Sequence, residues 1–169
     1  MLEKISCVSL ILVTVMVLGS CTAIVKNLDK PPLDHARIQQ LDSDVRTAMQ
    51  RVQWAVEHFA ADHGSDVYPS KIDDDFKSYM PGGQDGTRPA PVGPVNVFSG
   101  KNEFPKLGEI KDVHAFRHGA RIDCEPGQIF YCPLEGGKSY AIYGGAADGK
   151  VLMDLNSPYE VLVLSNIDD

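Results

Sequence analysis

One stretch, Asp34–Pro69, constrains the fold more than any other part of the chain. Apolar residues recur along it at every third or fourth position, namely Ile38, Leu41, Val45, Met49, Val52, Val56 and Phe59. This spacing keeps one face of a helix apolar over about six turns. Asp34 is a suitable N-cap, and Gly64 supplies a left-handed stop. The pattern therefore predicts one long amphipathic helix, His35–His63.

The two halves of this helix differ in composition. The second half carries the side chains expected in the core, which are Val52, Trp54, Ala55, Val56, Phe59 and Ala60. The first half is mostly polar, and a helix of about 45 Å is longer than a small sheet can cover. We therefore expect Ile38, Leu41 and Val45 to remain partly exposed as a partner-binding seam. The alternative is a solvated helix face.

Beyond the helix, the chain changes from loop to strand character. Ser70–Met80 predicts a short helix capped by Ser70, and Pro81–Lys111 holds five Pro and six Gly, which predicts loop with a short strand at Val95–Phe98. Further strand candidates are Val113–Phe116, Ala120–Asp123, Gln128–Cys132, Ser139–Tyr143, Val151–Leu155 and Val161–Ser165. The expected fold of residues 34–169 is α+β, with the long N-terminal amphipathic helix packed on a small antiparallel sheet.

The apolar N-terminal segment has two interpretations. In the first, residues 1–20 are a signal peptide, because Leu18-Gly19-Ser20-Cys21 resembles a bacterial lipoprotein box; Cys21 then takes the lipid and residues 21–33 form a tether. In the second, residues 5–25 are an uncleaved membrane helix, since 21 apolar residues just span a bilayer. Cys21 is then an ordinary apolar residue.

Several motifs, in this order, resemble the type IV pilin and type II secretion pseudopilin family. The long helix runs through Asp62 and Gly64 into Tyr68-Pro69, and Val97-Phe98-Ser99-Gly100 is similar to the Asn-Pro-Phe-Thr-Gly turn of that family. The segments 126–131, 139–144 and 147–149 resemble the closing strands of the major pseudopilin head. The resemblance covers roughly residues 37–155. It does not extend to the anchor, because no Gly precedes Ile5 and the run Ile5–Val25 contains no acidic residue.

The resemblance implies a non-enzymatic structural or interaction protein of a secretion or pilus-type system. Its head would lie in the periplasm or outside the cell, anchored to the bacterial envelope. Its partners would be pilin-like subunits or a second copy. The alternative is a lipoprotein binding module, without a filament, for a secreted partner or small ligand. A third hypothesis is an envelope hydrolase or metal protein using His114, His118 and Cys124. The net charge of −7 and the lack of a basic stripe argue against nucleic acid.

The four cysteines divide by position. Cys7 lies in the leader and Cys21 at the lipoprotein box, which leaves Cys124 and Cys132 as an even pair. In an exported domain such a pair predicts a disulfide, with free thiols or metal ligands as the alternatives.

The sequence predicts no metal site and no cofactor. His114 and His118 would lie about 13 Å apart on a strand, too far for one zinc ion. Asp73, Asp74 and Asp75 diverge on a helix and predict a solvated patch. Major pseudopilins hold calcium near their last strands, but the matching loop here, Gly144–Gly149, offers one carboxylate, so calcium is unsupported.

Overall fold

The computed structural model describes residues 34–81, 90–119 and 121–167. The N-terminal segment, including Cys21 and both of its interpretations, lies outside the described residues, and so does Ala120. Among the helices of these residues, none combines the length and apolar character that crossing a membrane requires.

The long helix has the predicted bounds. Helix α1 spans His35–His63, a length of 29 residues. It ends at Gly64, whose φ of 113° is in the left-handed region, and a turn follows in which the Val67 amide donates to the Gly64 carbonyl at 2.9 Å. The buried side chains of α1 are Leu41, Val45, Ala48, Met49, Val52, Ala55, Val56, Phe59 and Ala60.

The strands form a short hairpin and a main sheet of four strands. The hairpin comprises β1 (Val95–Asn96) and β2 (Lys101–Asn102). The main sheet comprises β3 (Lys106–Leu107), β4 (Ile129–Leu134), β5 (Ser139–Gly144) and β6 (Leu164–Ser165), in that order. β3 runs parallel to β4, whereas the other neighbours are antiparallel. The α+β class is confirmed, but the sheet is mixed and not purely antiparallel.

Helix α1 lies directly on β5 because Gly144 leaves room for it. A Cβ on Gly144 would lie 3.0 Å from Val45 Cγ1 and 3.1 Å from Met49 Sδ. Every residue of β5 is buried, since a second apolar cluster covers the other face of the sheet. This second cluster contains Ile110, Val113, Cys124, Cys132, Ala141, Tyr143, Val151, Val161 and Val163. The sheet is therefore enclosed on both sides.

Two elements differ from their prediction because an aspartate caps a short helix in each of them. Helix α2 spans only Asp74–Ser78, and Asp73, not Ser70, caps it by accepting from the Phe76 amide at 3.1 Å. The predicted strand Val113–Phe116 is wrong: the segment forms helix α3, Val113–Arg117. The Asp112 carboxylate accepts from the Ala115 amide at 2.9 Å and so starts this helix.

The last predicted strands are mostly reduced to single bridges. Asp123 pairs with Lys150, Val151 pairs with Gly145, and Met153 pairs with Val161. Only β6 extends the sheet at this end. The segment between β5 and β6 therefore runs as an extended cover beside the helix, not as a full strand.

Candidate interaction surface

The seam predicted on the first half of α1 is largely covered. Leu41 is 5% exposed and Val45 is 1% exposed, so the expectation of a partly exposed seam is wrong for both; Ile38 alone of the three is half-buried. Val45 packs at Gly144 of β5, and the segment that follows β5 adds a further contact to this half of the helix. Arg46 Nη2 donates to the Met153 carbonyl at 2.5 Å. The segment after β5 therefore contacts α1 in addition to the sheet. The sequence did not indicate this contact.

The same segment binds the helix nearer its start. Asp42 Oδ1 accepts from the Ala147 amide at 2.9 Å. Asp148, the one carboxylate of the Gly144–Gly149 loop, pairs with Arg121 at 3.0 Å. The Ala147 amide of this loop is therefore bound to α1, and the Asp148 carboxylate is bound to the Arg121 guanidinium.

A different part of α1 is exposed and carries a tryptophan. Trp54 is 69% exposed, so its predicted place in the core is wrong. Together with Arg51, Ala55 and His58 it occupies positions i, i+3, i+4 and i+7, which share one helix face. These four residues line one side of a pocket of about 300 Å³. The chain contains no other tryptophan.

The opposite wall of the pocket is Tyr79–Pro81. Tyr79 Oη donates to Asp62 Oδ2 at 3.0 Å, and the Tyr79 ring meets the Phe59 ring edge-on at a centroid distance of 5.4 Å. His63 stacks on Phe59 at 4.0 Å, and its Nε2 lies 3.4 Å from Asp75. These contacts tie the end of α1 to α2 and hold the wall in place.

The pocket has two basic side chains, Arg51 and His58. Within the part of the chain that the structure describes, Arg51 and His58 make no hydrogen bond or ion pair. Both are exposed. By contrast, Arg46 and Arg121 on neighbouring surfaces are engaged with carbonyl or carboxylate oxygens. The pocket thus combines a flat apolar ring with two available nitrogen donors.

The predicted disulfide is not formed: Cys124 and Cys132 are free and buried. Cys132 pairs with Ala141 on β5, whereas the Cys124 sulfur lies against Gly145. The two sulfurs therefore lie beside different residues of the same apolar cluster and are not joined. Burial raises the pKa of Cys124 to about 11 and that of Cys132 to about 12, so both thiols are poor nucleophiles.

His114 and His118 are closer than predicted because they lie on α3 and at its C-cap. Their ring centroids are 4.4 Å apart, and His118 Nδ1 lies 3.3 Å from Glu160 Oε1. Even so, no group of three or more metal-binding side chains gathers within residues 34–81, 90–119 and 121–167.

A buried tyrosine holds α1 against β5. Tyr140 Oη donates to Glu57 Oε1 and accepts from Gln53 Nε2 at 3.1 Å. Burial, reinforced by the Glu57 carboxylate, raises the pKa of Tyr140. Because its hydroxyl bridges two helix side chains, this tyrosine acts as a structural tie.

Tyr68 and Pro69, which follow the helix, are also fixed by the sheet. The Tyr68 amide donates to the Gly137 carbonyl at 2.7 Å, and Tyr131 Oη donates to the Pro69 carbonyl at 2.6 Å. The turn at 97–100 is organised by Asn96, whose Oδ1 accepts from the Phe98 amide at 3.0 Å. Both motifs of the resemblance therefore have defined structural roles here.

Comparison of the chain with known proteins finds no matching family model, no matching curated protein and no matching solved structure. The resemblance to pilins therefore stays a prediction from the sequence motifs.

Proposed function

We propose that this chain is a non-enzymatic interaction protein of a bacterial envelope system, a pilin-like head held at the membrane by its N-terminal segment. Three features support the proposal: the single long helix, the Tyr68-Pro69 exit from it, and the Asn96-organised turn. The lipoprotein box at Cys21 supports attachment by lipid, and two or more acyl chains anchor a head durably.

The observation that carries a role in protein contact is Trp54. A large aromatic side chain that is 69% exposed contributes little to the core of its own chain. Tryptophan and arginine are the residues most enriched at the centres of protein interfaces, and Arg51 lies one turn before Trp54. The partner-binding role predicted for Ile38, Leu41 and Val45 therefore moves along α1 to the Trp54 face, with Ile38 as the part of the seam that a partner could still reach.

The anchor and the contact surface are tested separately. The mature N-terminus is analysed by mass spectrometry after expression in a bacterial host. A lipid mass on Cys21, lost in Cys21→Ala together with membrane association, is the expected result. A mature protein that starts near Ile5 without lipid would refute the lipoprotein anchor.

For the contact surface, a photo-crosslinking amino acid replaces Trp54 in the full-length protein in cells. A discrete adduct with a pilin-like subunit or with a second copy is expected. The control position is Tyr159, which is 88% exposed and lies away from the pocket. Equal labelling at both positions, or none at Trp54, would contradict the proposal.

The second candidate is a lipoprotein binding module for a secreted partner or small ligand. The pocket favours it, because about 300 Å³ is at the lower end of ligand-site volumes. Protein adducts at position 54 would favour the first proposal. A ligand recovered with the purified protein and lost in Trp54→Ala would favour the second.

A further inference from the structure

We infer that the pocket between α1 and Tyr79–Pro81 binds an acidic peptide segment of a partner protein, with a carboxylate at Arg51 and an apolar side chain against Trp54. This inference rests on the proposed function and names the chemistry of the partner at the same site.

The charge of the pocket favours a carboxylate ligand. The chain carries a net charge of −7, so its overall field repels an anionic ligand. Arg51 and His58 nevertheless line one pocket and have no carboxylate partner among the described residues. Among the described residues, Asp62 accepts from Tyr79 and Glu57 accepts from Tyr140, and neither carboxylate pairs with Arg51 or His58. A carboxylate from outside is the group that complements this pair of donors.

The shape of the pocket favours a carboxylate next to an apolar side chain. A guanidinium presents a planar fork that matches a carboxylate through two parallel hydrogen bonds. Trp54 follows Arg51 by three residues, so the indole and the fork lie side by side on one helix face. The buried Ala55 forms the floor of the pocket between them. A ligand that offers a carboxylate next to an apolar side chain fills both positions, whereas an inorganic anion fills one.

The walls of the pocket are held in place before a ligand binds. The Tyr79 wall is fixed by its hydrogen bond to Asp62 and by its packing on Phe59. A peptide therefore enters a pocket that already has two walls, and little ordering cost falls on the protein.

The test uses the single tryptophan as the reporter. Purified full-length protein is titrated with an acetylated, amidated hexapeptide of alternating Glu and Leu, and with its Gln–Leu counterpart. We expect a saturable change in Trp54 fluorescence with the acidic peptide only. Arg51→Gln should weaken this binding about 10- to 100-fold. Far-UV circular dichroism checks that the variant keeps its fold.

Two further variants keep the test specific. Arg37→Gln makes the same change on the same helix about 21 Å away, and it should leave binding unchanged. Arg51→Lys keeps the charge but loses the fork, so it should bind with intermediate affinity. Equal weakening by Arg37→Gln would indicate nonspecific attraction and overturn the inference. Equal binding of the Gln–Leu peptide, or no saturable binding, would also overturn it.

Other occupants give distinct results. A saturable response to inorganic phosphate equal to that of the acidic peptide would identify a simple anion site and overturn the peptide assignment. A concentration-dependent dimer in sedimentation that Arg51→Gln abolishes would assign the pocket to a second copy instead. If the peptide fails while position 54 still crosslinks to a pilin-like subunit in cells, the proposed function stands and only the ligand chemistry is wrong.

Discussion

Replacing Val45 by Asp tests whether the first half of α1 belongs to the core. Val45 is 1% exposed, and its Cγ1 is in contact with the backbone of β5 at Gly144. Loss of its burial costs about 1.5–3 kcal/mol. A carboxyl buried there is neutral, and protonating it at pH 7 from an ordinary pKa of about 3.9 costs about 4 kcal/mol more. The sum, roughly 6 kcal/mol, is comparable with the whole stability of many domains.

The size of this effect depends on pH with a definite sign. The introduced carboxyl has a higher pKa in the folded than in the unfolded state, so the folded state binds more protons between the two values. The variant therefore loses stability as pH rises through this window and recovers part of it near pH 4.5. Urea denaturation of the full-length protein, followed by far-UV circular dichroism at both pH values, measures both quantities.

The matched control is Gln50→Asp, which introduces the same group on an exposed position of the same helix. It should change the free energy of unfolding by less than about 0.5 kcal/mol. If Val45→Asp is no more destabilising than this control, Val45 is not covered by the sheet. The predicted seam for a partner would then return to the first half of α1.

Three further predictions concern the sheet and its contacts. Tyr131→Phe removes the hydrogen bond to the buried Pro69 carbonyl and should lower the free energy of unfolding by about 1–3 kcal/mol in urea denaturation. Gly145→Ala places a Cβ 2.1 Å from a backbone carbonyl oxygen and should cost at least about 1–3 kcal/mol in the same assay. Cys124 and Cys132 should react with iodoacetamide at pH 8 only in denaturant. Because the unfolded thiols lose their protons first, the free energy of unfolding should fall from about pH 9 towards the raised pKa values of about 11 and 12. Fast labelling of the folded protein at pH 8, or a disulfide in peptide mapping, would contradict the buried thiols.

The parts of the fold that depend on local pattern could be predicted from the sequence. The period of apolar residues and the stop at Gly64 define α1 at both ends. Strands β4 and β5 follow from their β-branched and aromatic residues. The Val113–Phe116 segment is helical against its strand propensity because Asp112 caps it, a signal that the sequence does contain.

The candidate site depended on tertiary contacts that no pattern reveals. Trp54 lies among core residues in sequence, and only the position of the sheet places it outside. The length of α1 predicts Leu41 on the surface, beyond the reach of a small sheet, whereas it is buried. The free state of Cys124 and Cys132 depends on the path of the chain between them, which the sequence pattern does not specify.

The contacts that bind α1 to the rest of the domain have a consequence for the order of folding. Gln53 and Tyr140 are 87 residues apart, Asp42 and Ala147 are 105 apart, and Arg46 bonds to a carbonyl 107 residues further on. During synthesis α1 emerges about 80 residues before β5, the strand on which it packs. Contacts of such long sequence separation fold slowly. The nascent chain therefore carries an uncovered apolar stripe on α1 until most of the sheet has left the ribosome.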